Sequence, residues 1–394
     1  MARGATLARA MQLRVLTLNV WGLPWGLARD RTARMRAIGG RLPDLDADVI
    51  AFQEVWAPAA REQLIDAGHA AGYEAIWHRE QALGGSGLLV LSRHPIARAS
   101  FTPFTLRGLP QRLLHADFYG GKGFAVLTIS MPDGPVHVVA THLHAGYVPE
   151  GASDEYQSLR VAQAVEIAAA IRRIDGPLVA LGDWNFGESD PEYAVLAGLT
   201  GMTEGAAALD VRAPTLLGDH PYRRLGSASE RIDMVFARPG EHRRVRFESI
   251  ERVLAEPIKI GGRRGAYSDH TGLLAVLRVE AGALGESETP GPRLDPAALD
   301  LADEWLRIGL DTARTRRSRE RGLAAAGFTL GAAAGALAFR GRRAFVRGGL
   351  ASLAGLALGS SGAFAWLSEC FVADELERYA QIQGLISALR GELD

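Results

Sequence analysis

Leu178-Val179-Ala180-Leu181-Gly182-Asp183-Trp184-Asn185 is an apolar run that ends in two short polar side chains two residues apart. The run reads as a buried strand, and in an extended segment Asp183 and Asn185 then lie on one side. A carboxylate that positions water and an amide that donates to a phosphoryl oxygen would use such a pair. Read alone, the stretch is equally an Asx turn after a strand. The pattern recurs, however, at Leu18-Asn19, Gln53-Glu54, Thr141-His142, Ile232-Asp233 and Ser268-Asp269-His270. Six such places, rich in oxygen ligands and histidine, describe a divalent-metal phosphoesterase.

Further strands are expected at Leu13–Leu18, Asp48–Phe52, Gly87–Leu91, Phe124–Ile129, Val136–Ala140, Ile232–Phe236 and Leu273–Val279. Between them the clearest helix is Ser158–Arg173, with Val161, Val165, Ala168 and Ile171 at helical spacing against Arg160, Glu166, Arg172 and Arg173. Layered sheets flanked by helices follow from this alternation.

Phosphodiesters resist attack because negative oxygens surround the phosphorus and the departing alkoxide is poor, so a catalyst must neutralise charge and supply a nucleophile. A carboxylate at a strand end is a hard ligand suited to Mg²⁺, which makes Glu54 the expected anchor, with Asn19 and Asp269 completing the metal site. Mn²⁺ shares these oxygen ligands. Asp233 is read as the group that orients His270, and His270 as the base that activates water. His142 and His144 lie on one face of a strand, and phosphate stabilisation by His142 with His144 as support is preferred to a Zn²⁺ pair. Lys122, between Gly121 and Gly123, is a weak candidate for substrate contact, as is His144. Any one of these residues alone would be an ordinary surface or packing residue. Their combination carries the reading.

The chain has 394 residues, 47% of them hydrophobic, ample for a large core with a further region attached. A net charge of -1 supplies no overall basic field for a nucleic-acid backbone, so a nucleic-acid partner is not expected. The single cysteine, Cys370, excludes an intramolecular disulfide framework and a cysteine-based zinc cluster. Met1 to Gln12 shows no long apolar stretch, so no signal peptide is expected and the catalytic region should be cytoplasmic.

Three regions are expected: a catalytic domain over 1–280, a linker over 281–295 rich in Gly, Pro, Ser and Glu, and a helical region over 296–394. Asp295-Pro296 reads as a helix start. Two charge-free stretches, 322–339 and 348–367, are close to the length that crosses a bilayer, and arginines separate them. Membrane association through them is expected, with topology open because arginines flank both ends of the first. Gly327, Gly331 and Gly335, and likewise Gly355 and Gly359, are spaced to let two helices approach. An amphipathic helix is expected from Val372 to Leu389.

The motifs at Asn19, Gln53-Glu54, Gly182-Asp183-Trp184-Asn185, Ile232-Asp233 and Ser268-Asp269-His270 resemble the endonuclease/exonuclease/phosphatase superfamily over about 13–279. Leu18–Pro24, Gln53–Trp56, Gly85–Leu88, Ser92–Ile96, Gly121-Lys122-Gly123 and Thr141–Ala145 with Tyr147 resemble its neutral sphingomyelinase branch. Trp184 departs from that branch, which commonly has leucine there. The resemblance implies an α+β fold, a four-layer α/β/β/α sandwich of two packed mixed sheets with a C-terminal helical, membrane-associated extension. It implies Mg²⁺-dependent phospholipase C cleavage of sphingomyelin or a related phosphosphingolipid or lysophospholipid. It assigns Glu54, Asn19 and Asp269 to the metal, His270 with Asp233 to water activation, Asp183 and Asn185 to water and phosphate, and His142 to the transition state. The competing expectations are an endonuclease or an inositol-phosphate or other phosphomonoesterase on the same fold, and a non-catalytic membrane adaptor. Oligomeric state is not legible.

Overall fold

The computed structural model describes residues 11–79, 85–112, 115–147, 154–224, 226–281 and 294–393. The segment before Met11 and most of the expected 281–295 linker lie outside them. The described residues divide into two compact units, one within Met1–Ala302 together with Leu389–Asp394, the other Asp303–Ala388.

In the first unit two six-stranded sheets are built from the expected apolar runs. One has the order Arg243–Val253, Gly272–Ala281, Met11–Asn19, Val49–Gln53, Leu89–Ser92, Ala75–His78. The other runs Ile96–Pro103, Gly123–Met131, Gly134–His142, Leu178–Asp183, Asp233–Arg238, Thr203–Glu204. Each sheet is mixed: Met11–Asn19 is parallel to Val49–Gln53, Gly134–His142 is parallel to Leu178–Asp183, and the other pairings are antiparallel.

Side-chain alternation decides what each face meets. Leu13, Val15, Val49, Ala51 and Val90 of one sheet form a single buried cluster with Leu127, Val138, Val179, Leu181 and Val235 of the other. The intervening Leu16, Leu18, Ile50, Phe52 and Leu91 point the opposite way, onto Met35, Ile38 and Leu42 of the helix Arg31–Leu45 and Leu64 of the helix Pro58–Ala70. Helices Gln157–Ile171 and Pro191–Thr200 pack together as the fourth layer, where Arg238 Nη2 donates to the Ile171 carbonyl at 2.7 Å. The four-layer sandwich expected above is therefore present.

Two details differ from the sequence reading. The helix Gln157–Ile171 has no solvated polar face: Arg160 is buried against Glu192 at 3.0 Å, and Glu166 accepts the Thr105 N–H. Ala75–His78, Ile96–Pro103 and Arg243–Val253 were not expected as strands. They are outer strands whose residues are largely half-buried or exposed, so they carry no continuous apolar run.

In the second unit the expected first helix and first apolar stretch are one continuous helix, Pro296–Arg340, whose opening turns belong to the first unit. Asp295 caps it by accepting the Ala297 N–H at 2.9 Å. Ala344–Trp366 follows, then a π-helical turn Leu367–Val372 and Ala373–Arg390. A Cβ on Gly331 would lie 2.7 Å from Leu358 Cγ and one on Gly327 3.0 Å from the Ala357 carbonyl oxygen, so these two glycines permit the close approach. Gly355 and Gly359 instead face open space; the second helix contributes Ala354, Ala357 and Ser361, the last donating to the Ala324 carbonyl at 2.6 Å. The helices Pro296–Arg340 and Ala344–Arg390 are long and apolar enough to cross a membrane, by length and composition. Phe328, Phe339, Phe345 and Leu356 are exposed on them.

Candidate active site

Strand direction gathers the motifs at one end of the sandwich. The two parallel pairs align Asn19 with Gln53, and His142 with Asp183. Asp233–Arg238 is antiparallel to Leu178–Asp183, so its first residue, Asp233, is in register with Asp183. Asp269 and His270 precede Gly272–Ala281, which is antiparallel to Met11–Asn19 and so begins where Asn19 ends.

The centre of the site is Asp183. Its Oδ2 accepts from Asn19 Nδ2 at 2.9 Å and lies 3.4 Å from His142 Nε2 and 3.9 Å from His270 Nε2. Its Oδ1 accepts the Asn185 N–H at 3.1 Å, while Asn185 Nδ2 donates to the Leu143 carbonyl at 2.9 Å. His270 Nδ1 is 2.8 Å from Asp233 Oδ2, a geometry that assigns the proton to Nδ1 and leaves Nε2 facing Asp183. Burial works against a charged His270 ring, but Asp233, Asp183 and Asp269 outweigh it and hold the imidazole well above its ordinary value. Burial and the neighbouring Asp233 push the Asp183 carboxyl up to about 6.

Glu54 lies across the Asn19 amide from Asp183. Asn19 Nδ2 also donates to Glu54 Oε1 at 3.0 Å, and its Oδ1 accepts the Trp21 N–H at 2.9 Å. Asn19 thus bridges Glu54 and Asp183 through its amide nitrogen. Glu54 and Asn185 both adopt left-handed backbone, φ 59° and 53°, a conformation that costs a non-glycine residue about 1 kcal/mol and turns each side chain toward the cleft. Gly22 fits against this turn because a Cβ there would sit 2.5 Å from the Glu54 carbonyl oxygen.

Lys122 proves to be buried. Its Nζ donates to His142 Nε2 at 2.9 Å and the Leu143 carbonyl at 2.8 Å, and pairs with Asp117 at 2.8 Å. Burial and the Lys122 charge hold His142 well below its ordinary value, so this imidazole is neutral. His144 does not reach the cleft: it is buried against Tyr156, ring centroids 4.1 Å apart, with Nδ1 on the Ala145 carbonyl. Asp117 escaped the sequence reading, because it sits in a single 3₁₀ turn, Ala116–Phe118, with no apolar run to mark it.

The donor set fits a hard divalent cation. The Glu54 and Asp269 charges repel each other, and among the described residues neither side chain forms an ion pair. Burial, and then the Asp269 charge, push the Glu54 carboxyl up to about 7, against the Asn19 hydrogen bond and the charges of Lys122 and His270. Asp183, Asp233 and His270 also offer ligand atoms within 4.8 Å of one another. There His270 Nδ1 is already committed to Asp233.

This geometry coincides with a family match. The model of the Endonuclease/Exonuclease/phosphatase family covers residues 16–270, from the first core strand to His270. The chain belongs to that family. Within it, the chain falls in the neutral sphingomyelinase-like branch. It is 29% identical to human Sphingomyelin phosphodiesterase 2 over 331 residues, 78% of this chain and 75% of that one. It is 35% identical to Inositol phosphosphingolipids phospholipase C of Schizosaccharomyces pombe over 183 residues, 45% of this chain and 42% of that one. A Drosophila melanogaster relative is 33% identical over 278 residues, and the chain spans 61% of its length. Among solved structures, Sphingomyelinase C from Streptomyces griseocarneus superimposes with a TM-score of 0.51 at 23% identity, covering 68% of this chain and 99% of that one. TDP2 of D. rerio complexed with single strand DNA product gives 0.53 at 18%, covering 68% and 98%. These two likenesses concern the fold.

Proposed function

We propose that this protein is a divalent-cation-dependent phosphodiesterase of the phospholipase C type, acting on sphingomyelin or a related phosphosphingolipid or lysophospholipid. The observation that carries it is the His270–Asp233 pair at 2.8 Å, with Asp183 and Asn185 beside it and Glu54 across Asn19. The substrate class rests on the sphingomyelinase and phosphosphingolipid phospholipase relatives.

Glu54 and Asp269 would hold the cation, Mg²⁺ or Mn²⁺, which supplies charge neutralisation at the phosphoryl oxygens. Asp233, Asp183 and Asp269 hold the cation-free His270 ring charged, and a bound cation's charge would oppose them. The neutral imidazole would then take, at Nε2, the proton of a water that Asp183 orients, with Asp233 stabilising the resulting imidazolium. The water oxygen bonds to phosphorus and the bond from phosphorus to the lipid oxygen breaks. The lipid oxygen leaves as a ceramide-like alcohol by taking a proton, from the His270 imidazolium or from solvent, and the phosphate stays on the head group. Asn185 donates to a phosphoryl oxygen once its amide turns from the Leu143 carbonyl. Neutral His142, with Lys122 on its Nε2, bears on the same charge through Asp183.

The domain reading accompanies this: catalysis over 1–280, a linker over 281–295, and membrane association through 322–339 and 348–367 with the catalytic region cytoplasmic. Lipid release assays decide the substrate. With Mg²⁺, the purified protein should free the phosphorylated head group from at least one of sphingomyelin, ceramide phosphoethanolamine, inositol phosphosphingolipid and a lysophospholipid. Absence of release from all four, alongside nicking of plasmid or release of inorganic phosphate from inositol phosphates, would replace this reading with a nuclease or phosphomonoesterase.

A further inference from the structure

Residues 20–30 leave the strand Met11–Asn19 directly after Asn19 and pass Glu54 at Gly22, so they form one rim of the catalytic cleft. At their tip Trp25 is 91% exposed and Leu27 62%. Trp25 takes left-handed backbone, φ 54°, and among the described residues its ring stacks on no other and its indole N–H has no acceptor. A strained, bare tryptophan is a cost that no contact among the described residues offsets.

The loop is nevertheless firmly built. Arg34, fully buried in the helix Arg31–Leu45, donates to the carbonyls of Val20, Trp21 and Arg29 at 2.7, 2.7 and 2.8 Å. Arg31 Nη1 donates to the Leu23 carbonyl at 2.7 Å, and the Leu27 N–H closes a turn on Pro24 at 3.1 Å. Trp21 lies against Tyr222 with ring centroids 5.4 Å apart, and the Arg34 guanidinium covers its ring at 5.0 Å. Trp25 and Leu27 are therefore presented on a rigid platform, while Arg29 donates to the Pro221 carbonyl at 2.9 Å and lies over the Tyr222 ring at 5.0 Å.

We propose that Trp25 and Leu27 insert into the interfacial layer of a phospholipid bilayer and seat the mouth of the cleft on it. Tryptophan prefers the boundary where its ring is dehydrated while its N–H stays wet, and leucine enters the adjoining acyl region. The proposal rests on the phospholipase reading, since a lipid whose scissile bond lies at the bilayer surface must be met there.

Two measurements on the full chain test it. In a Cys370→Ser background, an environment-sensitive dye is attached through Trp25→Cys, or through Ser130→Cys at the opposite end of the sheet, and the protein is reconstituted into phosphatidylcholine–sphingomyelin vesicles. Emission should shift to the blue, and spin-labelled lipid should quench it, at position 25 and not at position 130; equal behaviour at both positions overturns the proposal. Trp25→Ala with Leu27→Ala should lower the ratio of turnover on vesicles to turnover on a water-soluble short-chain analogue by about tenfold or more. An unchanged ratio overturns it as well. Lack of turnover on every phosphosphingolipid by the unaltered protein would end the phospholipase reading, while the dye measurement still reports on the loop.

Discussion

Asp233 Oδ2 bonds His270 Nδ1, while its Oδ1 is buried with no hydrogen-bond partner among the described residues. Asp233→Asn keeps the shape but presents an amide N–H that holds the ring in the wrong tautomer. Turnover should fall about 10⁴-fold with the fold intact, read by steady-state kinetics beside circular dichroism; a loss under tenfold would remove His270 as the base. Glu54 gives a pH signature. With its carboxyl raised from 4.5 to about 7, the cation-free folded protein keeps a proton that the unfolded chain has released across that window. Stability should therefore fall as pH rises from about 5 to about 7, by at most about 3 kcal/mol. Mg²⁺ competes for the same carboxylate and should restore it, an effect absent in Glu54→Gln. Urea unfolding with and without Mg²⁺ measures both slopes, and coincident slopes would place the cation elsewhere. Glu54, Asp183 and His270 are legible in the sequence because each closes or opens an apolar run. Lys122 is visible only through its flanking glycines, and its pairing with Asp117 is a contact between loops that no local pattern encodes.

At the scale of elements, the loops on the strand ends are set by contacts remote in sequence. Arg34 joins residues 20–29 to the Tyr267 carbonyl, at 3.2 Å, just before Ser268-Asp269-His270. Burial lowers its pKa, and Asp269 and Glu54 partly offset this, so its charge is compensated by carbonyls and by the site's own acids. Arg34→Lys offers three donors where the guanidinium reaches four carbonyls. It should cost about 2 kcal/mol and raise the Mg²⁺ concentration needed for half-maximal activity, checked by thermal unfolding and Mg²⁺ titration. Unchanged Mg²⁺ dependence would confine Arg34 to packing. In the helical unit Gly331→Leu would meet Leu358 and the Ala354 carbonyl. A loss of about 1–3 kcal/mol in detergent is expected, with Gly359→Leu near neutral because that position faces open space. Spacing of the glycines signals that two helices meet; which glycines meet depends on helix rotation, and composition does not specify that. The outer strands escape the reading for a related reason, since Ile96–Pro103 is mostly exposed and shows no apolar run.

For the whole molecule, two layers of strands and two of helices bring distant residues to one end because the parallel pairs point the same way and their antiparallel neighbours start there. The Leu178–Asn185 stretch makes this visible in miniature: its strand is core, and its last side chains are chemistry. Balanced charge, with a net of -1, suits a substrate held by a cation and a few directed donors rather than by a broad basic surface. The most direct test runs the reaction in ¹⁸O-labelled water with Mg²⁺ and the phosphosphingolipid that the substrate panel selects. The account predicts one ¹⁸O in the phosphorylated head group, none in the lipid alcohol, and loss of the reaction with chelator or in His270→Gln. Label in the lipid alcohol, or undiminished turnover in His270→Gln, would contradict it.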